Sequence, residues 1–221
     1  MSTNIFEYFS MDENLGKLIN YRDFQIKSWC TDIPNIKRLL TQLGLEKKLT
    51  IVEIGVHGGG SLLLTYDLIE NTDSVIIGID CWEKITENGI NGFENDFWSE
   101  ESLSQFLSLH KDNRILLEKI VMNYDNKNQI KLIQGFSNDI KILEQFEENS
   151  IDLLYIDGDH SFDGCYSDLK NWFPKVKTNG FILNDDFTWS DVNKAVYKFC
   201  NELNIKNLVV DGNQAFFQKL C

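Results

Sequence analysis

The chain has 221 residues, of which 43% are apolar and 25% charged, the composition of a folded globular protein rather than a disordered one. Its net charge of −13 argues against nonspecific binding to DNA or RNA, because the phosphates would be repelled. No apolar run approaches the roughly 18 residues of a membrane helix. The N-terminus has no basic segment leading into an apolar one, as a signal peptide would, so we expect a cytoplasmic protein without membrane association.

Helices and strands can be predicted along the chain from hydrophobic spacing. Residues 1–49 are expected to form a helical extension, with apolar residues at helical spacing at Ile33, Ile36, Leu39, Leu40 and Leu43. Short apolar runs, each closed by Gly, Asp or Asn, predict buried parallel strands at 50–54, 75–80, 130–135, 151–157 and 180–185. Helices are predicted between them at 61–70, 162–173 and 190–203. This alternation indicates a doubly wound α/β fold with a mostly parallel sheet.

Two further segments complete the prediction of one domain over residues 1–221. A hairpin at 206–219, turning at Asp211-Gly212, is expected to add two antiparallel strands, for seven in all. Residues 81–129 are longer than an ordinary connection and are interpreted as an insertion, with a helix at 99–110. Its aromatic residues either form a lid over a substrate or pack in the ordinary way: Trp82, Phe93, Phe97 and Trp98.

The ends of the predicted strands carry the candidate functional residues. In such folds ligands bind at the carboxyl ends of the parallel strands. The first strand ends in Glu53 and continues through a glycine-rich turn, residues 55–60, into a helix beginning near Ser61. Such a turn either brings backbone N–H groups to an anionic ligand or serves only for packing. Asp80 ends the second strand, where it can accept hydrogen bonds from ribose hydroxyls, and Ser137-Asn138 follow the third.

Acidic residues follow the last two parallel strands. Asp157 and Asp159 end one strand, and Asp185 and Asp186 end its neighbour. Carboxylates held this close favour a hard cation such as Mg²⁺, Ca²⁺ or Mn²⁺. The alternative is that some of them are helix caps or solvated acids, and Asp159 is well placed to cap the next helix.

The three histidines differ in their surroundings. His160 lies within the acidic cluster, where it either takes a proton from a substrate hydroxyl or only binds a carboxylate. His57 lies in the glycine turn, for which packing is the favoured interpretation, and His110 is given no role. The five cysteines are odd in number and include no C-x-x-C pair, so we expect reduced, structural thiols.

These motifs together resemble the class I S-adenosylmethionine-dependent methyltransferases, in particular the metal-dependent O-methyltransferases. That group includes catechol and caffeoyl-CoA enzymes, enzymes acting on sugars of macrolide and aminocoumarin antibiotics, and a bacterial branch associated with surface-sugar synthesis. The resemblance covers about residues 50–220, with residues 81–129 outside it. It implies a Rossmann-like fold, S-adenosylmethionine as cofactor, a divalent cation and a small-molecule acceptor such as a sugar or glycoside; homo-oligomerisation stays open.

The resemblance also implies roles for individual residues. Glu53, Gly55, Gly59 and Ser61 match the turn around the methionine part of the cofactor, Asp80 the ribose-binding acid, and Ser137 and Asn138 the turn beside the adenine. Asp157, Asp185 and Asp186 match the metal ligands, with Asp157 also a catalytic candidate. His160 stands where the catechol enzymes have a basic lysine, so the base is either His160 or an aspartate.

Three other functions are alternatives to a methyltransferase. An oxygenase-like enzyme would use the same fold and metal site. A haloacid-dehalogenase-like phosphatase would use Asp157 as nucleophile, but it leaves the preceding strand and glycine turn unexplained. A non-catalytic cofactor-binding protein would keep its biological activity when Asp157 and Asp185 are replaced, because that activity would not depend on catalysis.

Overall fold

The computed structural model describes residues 8–11, 17–30, 32–82 and 100–220. Its first elements form a three-stranded antiparallel sheet of β1 (Tyr8–Met11), β2 (Lys17–Tyr21) and β3 (Phe24–Ser28). The prediction of helices throughout residues 1–49 was therefore wrong for this part. Burial alternates along the strands, with Ile19 and Tyr21 inward on β2 and Ile26 inward on β3. This period of two is the pattern of a strand that buries one face.

The first helix, α1 (Pro34–Leu43), confirms the helical prediction for the rest of the extension. Proline at its first position suits a helix start, since the missing N–H would have no intrahelical partner there. Ile36, Leu39 and Leu40 form its buried face. Gly44, with φ of +93°, follows its last turn.

The main sheet has seven strands and confirms the predicted fold class. Its members are β4 (Thr50–Ile54), β5 (Val75–Asp80), β6 (Ile130–Gln134), β7 (Ile151–Ile156), β8 (Val176–Asn184), β9 (Val209–Asp211) and β10 (Gln214–Gln218). Their spatial order is β6-β5-β4-β7-β8-β10-β9. The first five are parallel, and β10 pairs antiparallel with both β8 and β9.

Helices cover both faces of this sheet. The others are α2 (Gly60–Ile69), α3 (Glu100–Tyr124), α4 (Ile140–Leu143), α5 (Phe162–Trp172) and α6 (Ser190–Glu202). Buried residues of α1, α2 and α3 share one apolar cluster with one face of the sheet, and those of α4, α5 and α6 share a second with the other face. This is the doubly wound arrangement that the alternating pattern predicted. Within the described ranges, no helix has both the length and the apolar character of a membrane span.

Arg22 makes several of the contacts that join the N-terminal sheet to the main body. Arg22 lies in the turn between β2 and β3, and its guanidinium is 2.8 Å from a carboxylate oxygen of Asp67 and 2.8 Å from one of Glu70. Both acids lie at the end of α2. The same guanidinium lies over the ring of Tyr124, 4.7 Å from its centroid. These contacts fix the position of β3, which extends toward the candidate site.

Candidate functional site

The sheet changes direction between β4 and β7. From β4 the chain proceeds to β5 and β6 on one side, and then to β7 and β8 on the other. A crevice forms outside the carboxyl ends of the strands at such a switch point, and ligands of open α/β sheets bind there. The residues predicted from the sequence follow β4, β5, β6, β7 and β8, so the fold brings all five strand ends to this edge.

The glycine turn after β4 depends on close approaches to its backbone. Gly55 has φ of +86°, and a Cβ built on it would lie 1.8 Å from the carbonyl oxygen of Asp157. Gly59, with φ of +83°, precedes α2, and its Cβ would lie 2.7 Å from the Leu117 side chain. The left-handed conformation favours glycine at both positions, and at Gly55 the close contact is with backbone, which cannot rotate away. Packing therefore accounts for both glycines, and their role toward a cofactor stays a prediction.

The N-terminal segment lies directly against this turn, which the sequence did not indicate. A Cβ on Gly58 would be 1.8 Å from the carbonyl oxygen of Lys27, and one on Gly60 would be 2.1 Å from the hydroxyl of Ser28. The half-exposed Trp29 ring stacks on that of His57, with centroids 4.2 Å apart. The segment after β3 therefore forms one wall of the candidate site.

Glu53 is a buried acid at the end of β4, with only 1% of its surface exposed. The Ser61 hydroxyl donates a hydrogen bond to its Oε1, while its Oε2 is buried without a hydrogen-bond partner among the described residues. Burial raises the pKa of Glu53 well above its usual value, and the carboxylates of Asp157 and Asp80 raise it further. The structure thus brings Glu53 and Ser61 together and leaves one carboxyl oxygen unsatisfied.

Asp80 organises the backbone around it. Its Oδ2 accepts hydrogen bonds from the N–H groups of Val56 and His57, both at 2.8 Å, and its Oδ1 accepts one from Trp82 at 2.6 Å. A carboxylate offers about four acceptor positions. Three of them are used by these N–H groups, and the Cys81 thiol also hydrogen-bonds to Asp80.

The turn after β6 is held by a buried acid that the sequence analysis missed. The Ser137 hydroxyl donates to Oδ1 of Asp168 at 2.5 Å, while Asn138 is exposed. Asp168 lies on α5 with 2% of its surface exposed, and its Oδ2 is buried without a partner among the described residues. Burial raises the pKa of Asp168 to about 7. The signal available in the sequence was the position of Asp168 in the predicted helix, where helical spacing places it next to the buried apolar face.

Replacing Asp168 by asparagine is expected to change how stability depends on pH. Because the pKa of Asp168 rises from 3.8 to about 7 on folding, the folded wild type is favoured by protonation and loses stability as pH rises from about 4 to 7. The full effect of that pKa change is about 4 kcal/mol as an upper limit. The Asp168→Asn variant has no proton to lose at this position. Its free energy of unfolding, relative to that of wild type, should therefore rise as the pH rises across this range.

Chemical denaturation of both proteins at pH 5, 6, 7 and 8 measures this difference. The exposed carboxylate of Asp191 provides a matched control, since Asp191→Asn should show a constant difference from wild type. A pH-independent difference for Asp168→Asn would contradict the expectation.

The acids after β7 and β8 meet at one point with a histidine. Nε2 of His160 lies 3.4 Å from Oδ1 of Asp157 and 3.2 Å from Oδ2 of Asp186. One ligand atom from each of the three lies within 4.8 Å of the others. Two carboxylates and an imidazole suit a divalent cation. Asp159 instead accepts a hydrogen bond from the Ser161 N–H at 2.8 Å, while the residue that caps α5 is Ser161, whose hydroxyl accepts from the Gly164 N–H at 3.1 Å.

Asp185, the third predicted metal ligand, points to other partners. Its Oδ2 accepts hydrogen bonds from the Tyr155 hydroxyl and from Nε2 of Gln214, the latter at 3.2 Å. It therefore lies outside the cluster of Asp157, His160 and Asp186, although it adjoins it in sequence. Neither Tyr155 nor Gln214 was proposed from the sequence, because nothing in a strand pattern shows that their polar atoms reach this acid.

The acidic surroundings shift the pKa values of two cluster residues. Burial raises the pKa of Asp157 to about 7, and the charges of Asp185 and Asp186 add to the rise, while His160 opposes it. Burial acts to lower the pKa of His160, but its hydrogen bond with Asp157 and the charges of Asp157 and Asp186 outweigh burial and raise it. The cluster therefore has the excess negative charge that a cation would neutralise.

Tryptophans occupy two different positions near the cluster. Trp189, 46% exposed, lies beside the ring of His160, with centroids 5.1 Å apart. Trp82 is fully buried, and its indole N–H donates to the carbonyl of His57 at 3.0 Å, so it packs rather than covers a substrate. The other residues of the predicted lid, Phe93, Phe97 and Trp98, lie outside the described residues.

Comparison with known proteins identifies similar sequences. A family model described as a methyltransferase domain matches residues 52–187. The chain is 23% identical over 186 residues to demethyldecarbamoylnovobiocin O-methyltransferase from Streptomyces niveus. It is 22% identical over 180 residues to 8-demethyl-8-(2,3-dimethoxy-alpha-L-rhamnosyl)-tetracenomycin-C 4'-O-methyltransferase from Streptomyces olivaceus. Each alignment covers 76% of this chain but only 65% of the relative, slightly less than two thirds of its length.

Solved structures share the fold. The structure of the O-methyltransferase NovP matches with a TM-score of 0.60 and 20% identity, covering 85% of this chain and 78% of NovP. MycE methyltransferase in complex with Mg, SAH and mycinamycin VI matches with a TM-score of 0.56 and 18% identity, covering 85% of this chain and 49% of MycE. At these identities the matches establish the Rossmann-like architecture.

Proposed function

The chain belongs to the methyltransferase domain family, and on that basis we propose that it transfers a methyl group from S-adenosylmethionine to a hydroxyl oxygen of a small molecule. The observation that carries the proposal is the position of the cluster. Asp157, His160 and Asp186 lie at the same sheet edge as the glycine turn. A cofactor bound at the turn would therefore lie beside a site able to hold an acceptor hydroxyl.

The charge of the site supports a cationic cofactor. S-adenosylmethionine carries a positive sulfonium and a positive ammonium group, and the edge of the sheet presents the carboxyl groups of Glu53, Asp80 and Asp157. The unpartnered Oε2 of Glu53 would be satisfied by an ammonium donor. We assign Glu53, Gly55, Gly59 and Ser61 to the methionine part.

The other two parts of the cofactor are assigned to the next strand ends. Asp80 is assigned to the ribose hydroxyls, because it ends β5 at the same sheet edge as the glycine turn. Ser137 and Asn138 are assigned to the adenine, because they follow β6, the strand beside β5.

The acidic cluster fits a divalent cation, for which we propose Mg²⁺. Asp157 and Asp186 would hold it, with the third predicted ligand, Asp185, adjoining Asp186 in sequence. A bound cation of this kind lowers the pKa of a hydroxyl that it coordinates.

His160 is the proposed base. The reaction replaces the acceptor O–H bond by an O–CH₃ bond, so a base must accept the released proton. Nε2 of His160 lies 3.4 Å from Oδ1 of Asp157 and 3.2 Å from Oδ2 of Asp186, so an acceptor hydroxyl bound to the proposed cation would lie beside it. Asp157, the other candidate, is assigned to ligation of the proposed cation. The protein otherwise contributes alignment of the two reactants.

A sugar or glycoside hydroxyl is the proposed acceptor, with a phenolic natural product as second choice. The relatives named above include an enzyme described as acting on a rhamnosyl group. The exposed indole of Trp189 beside His160 adds an apolar surface next to a polar cluster. Sugars present both apolar C–H faces and hydroxyls, so this combination suits them.

Calorimetric titration of S-adenosylhomocysteine, with and without Mg²⁺, tests the proposal. We expect micromolar binding by wild type. Asp80→Ala should weaken it about 10- to 100-fold, because a charged acceptor contributes about 1.5–3 kcal/mol to a hydrogen bond. Asp73→Ala, at the other end of the same strand, is the control and should bind like wild type.

The outcomes separate the competing functions. Binding by wild type followed by a screen of nucleotide-sugars and glycosides for methyl transfer would identify the acceptor. Absence of binding in both conditions would overturn the methyltransferase proposal. Circular dichroism of Asp80→Ala is needed alongside, since this acid also holds the turn at Val56 and His57.

A further inference from the structure

The C-terminal hairpin reaches the cluster through one side chain. Nδ2 of Asn213, in the turn between β9 and β10, donates a hydrogen bond to Oδ1 of Asp186 at 2.7 Å. The other carboxylate oxygen of Asp186, Oδ2, faces Nε2 of His160 at 3.2 Å. Asn213 thus occupies one oxygen of the acid and leaves the second directed to the proposed cation.

The carboxamide of Asn213 has a defined orientation. Its Oδ1 accepts hydrogen bonds from the hydroxyl and the backbone N–H of Thr188, the latter at 3.3 Å. A backbone N–H can only donate, and an ionised carboxylate can only accept. One orientation of the amide satisfies both, with its oxygen toward Thr188 and its nitrogen toward Asp186.

The backbone of Asp186 is held by the same hairpin. Asp186 has φ of +49°, a left-handed conformation that is uncommon for residues other than glycine. The N–H of Phe187 donates to the backbone carbonyl of Asn213 at 2.8 Å, and the N–H of Trp189 donates to that of Asp186 at 2.8 Å. The loop that carries Asp186 is therefore tied to the hairpin through both backbone and side chain.

The next residue of the hairpin contacts the neighbouring acid. Nε2 of Gln214 donates to Oδ2 of Asp185 at 3.2 Å, and its Oε1 accepts from Nδ2 of Asn35 on α1 at 2.9 Å. Consecutive residues of one hairpin thus hydrogen-bond to consecutive acids, Asn213 to Asp186 and Gln214 to Asp185. The two acids therefore differ in their hydrogen-bond partners, although they are adjacent in sequence.

We propose that Asn213 is a positioning residue of the cation site. It acts through Asp186 and does not itself contact the cation. This inference rests on the proposed function, because it presupposes that Asp157 and Asp186 bind a divalent ion. Hydrogen-bond partners of metal ligands typically change metal affinity 10- to 100-fold when they are removed. We therefore expect Asn213→Ala to weaken cation binding by about 10-fold.

Binding of Mn²⁺, followed by the electron paramagnetic resonance signal of the free ion, measures this directly and needs no acceptor. Asn213→Ala should show the roughly 10-fold weaker affinity for Mn²⁺, with unchanged affinity for S-adenosylhomocysteine. Asn207→Ala is the matched control, since Nδ2 of Asn207 donates to the carbonyl of Gln218 on the same hairpin, away from the cluster. It should bind Mn²⁺ like wild type.

A second variant covers the case in which Asn213→Ala fails to fold. Thr188→Val removes the hydroxyl that binds Oδ1 of Asn213 while keeping the contact with Asp186. It should weaken Mn²⁺ binding in the same direction but less. Wild-type affinity for Mn²⁺ in both folded variants would overturn this inference, and so would equal weakening by Asn207→Ala. Neither result would affect the proposed function. Failure of wild type to bind Mn²⁺ would remove the cation from the proposed function and the inference with it.

Discussion

Replacing Gly55 by alanine is expected to destabilise the protein by at least about 4 kcal/mol, the range reserved for severe structural conflicts. A Cβ at this position would lie 1.8 Å from the carbonyl oxygen of Asp157 and 2.4 Å from its carbonyl carbon. Both contacts are with backbone, so no side-chain rotation relieves them. The ends of β4 and β7 would have to separate, and their separation would also move Asp157. Denaturation followed by tryptophan fluorescence measures the loss.

Gly212→Ala is the matched control for this prediction. Gly212 also has a positive φ, +60°, but nothing lies within 4 Å of its Cβ position. Its replacement should cost only the strain of a left-handed alanine, about 1–2 kcal/mol. The difference between the two variants isolates the close approach of the backbones. Equal losses would show that the ends of β4 and β7 do not approach each other this closely.

Asp157→Asn is expected to have the largest effect on cation binding. Asp157 contributes one of the two carboxylates of the cluster, and asparagine keeps its size while removing the charge. Loss of a hydrogen-bond partner of a metal ligand weakens metal binding by up to roughly 100-fold. Loss of the ligand Asp157 itself should lower the affinity for Mn²⁺ by more than that. Methyl transfer should fall with it once an acceptor is known, while binding of S-adenosylhomocysteine should persist.

Asp159→Asn is the control, since it removes the same charge two residues away. The Asp159 carboxylate is exposed and binds the N–H of Ser161 rather than the cluster. Its replacement should leave Mn²⁺ affinity within about threefold of wild type, because exposed charges are screened. A similar loss in both variants would indicate general electrostatic attraction instead of ligation by Asp157.

The main sheet was predictable because its strands are buried on both faces. Their apolar runs, closed by Gly, Asp or Asn, are confirmed at all five parallel strands and at the hairpin. The N-terminal strands were missed for a physical reason. The turn between β2 and β3 is Arg22-Asp23, with Arg22 at φ of +50°, and it has no glycine or asparagine to indicate a hairpin. The alternation of Ile19 and Tyr21 was the signal available.

The candidate site was predictable only as far as strand ends determine it. Parallel strands bring Asp157 and Asp186 to the same edge of the sheet whatever contacts their side chains make. The direction of the Asp185 side chain depends on Tyr155 and Gln214, which lie 30 and 29 residues from it along the chain. Likewise Asn213 is 27 residues from Asp186. Contacts of this kind follow from the three-dimensional register of the strands, which spacing along a sequence does not specify.

The matched family segment, residues 52–187, excludes two elements that contact it, one before its start and one after its end. Before the segment, the carbonyl oxygen of Lys27 lies against the backbone of Gly58. After it, the side-chain amide of Asn213 donates a hydrogen bond to Asp186. A shortened polypeptide limited to that segment would retain every motif and lose both supports. Substitutions in the flanks can therefore alter cofactor and cation binding in proteins whose motifs are identical. Intact motifs alone are then insufficient grounds for inferring activity in a fragment.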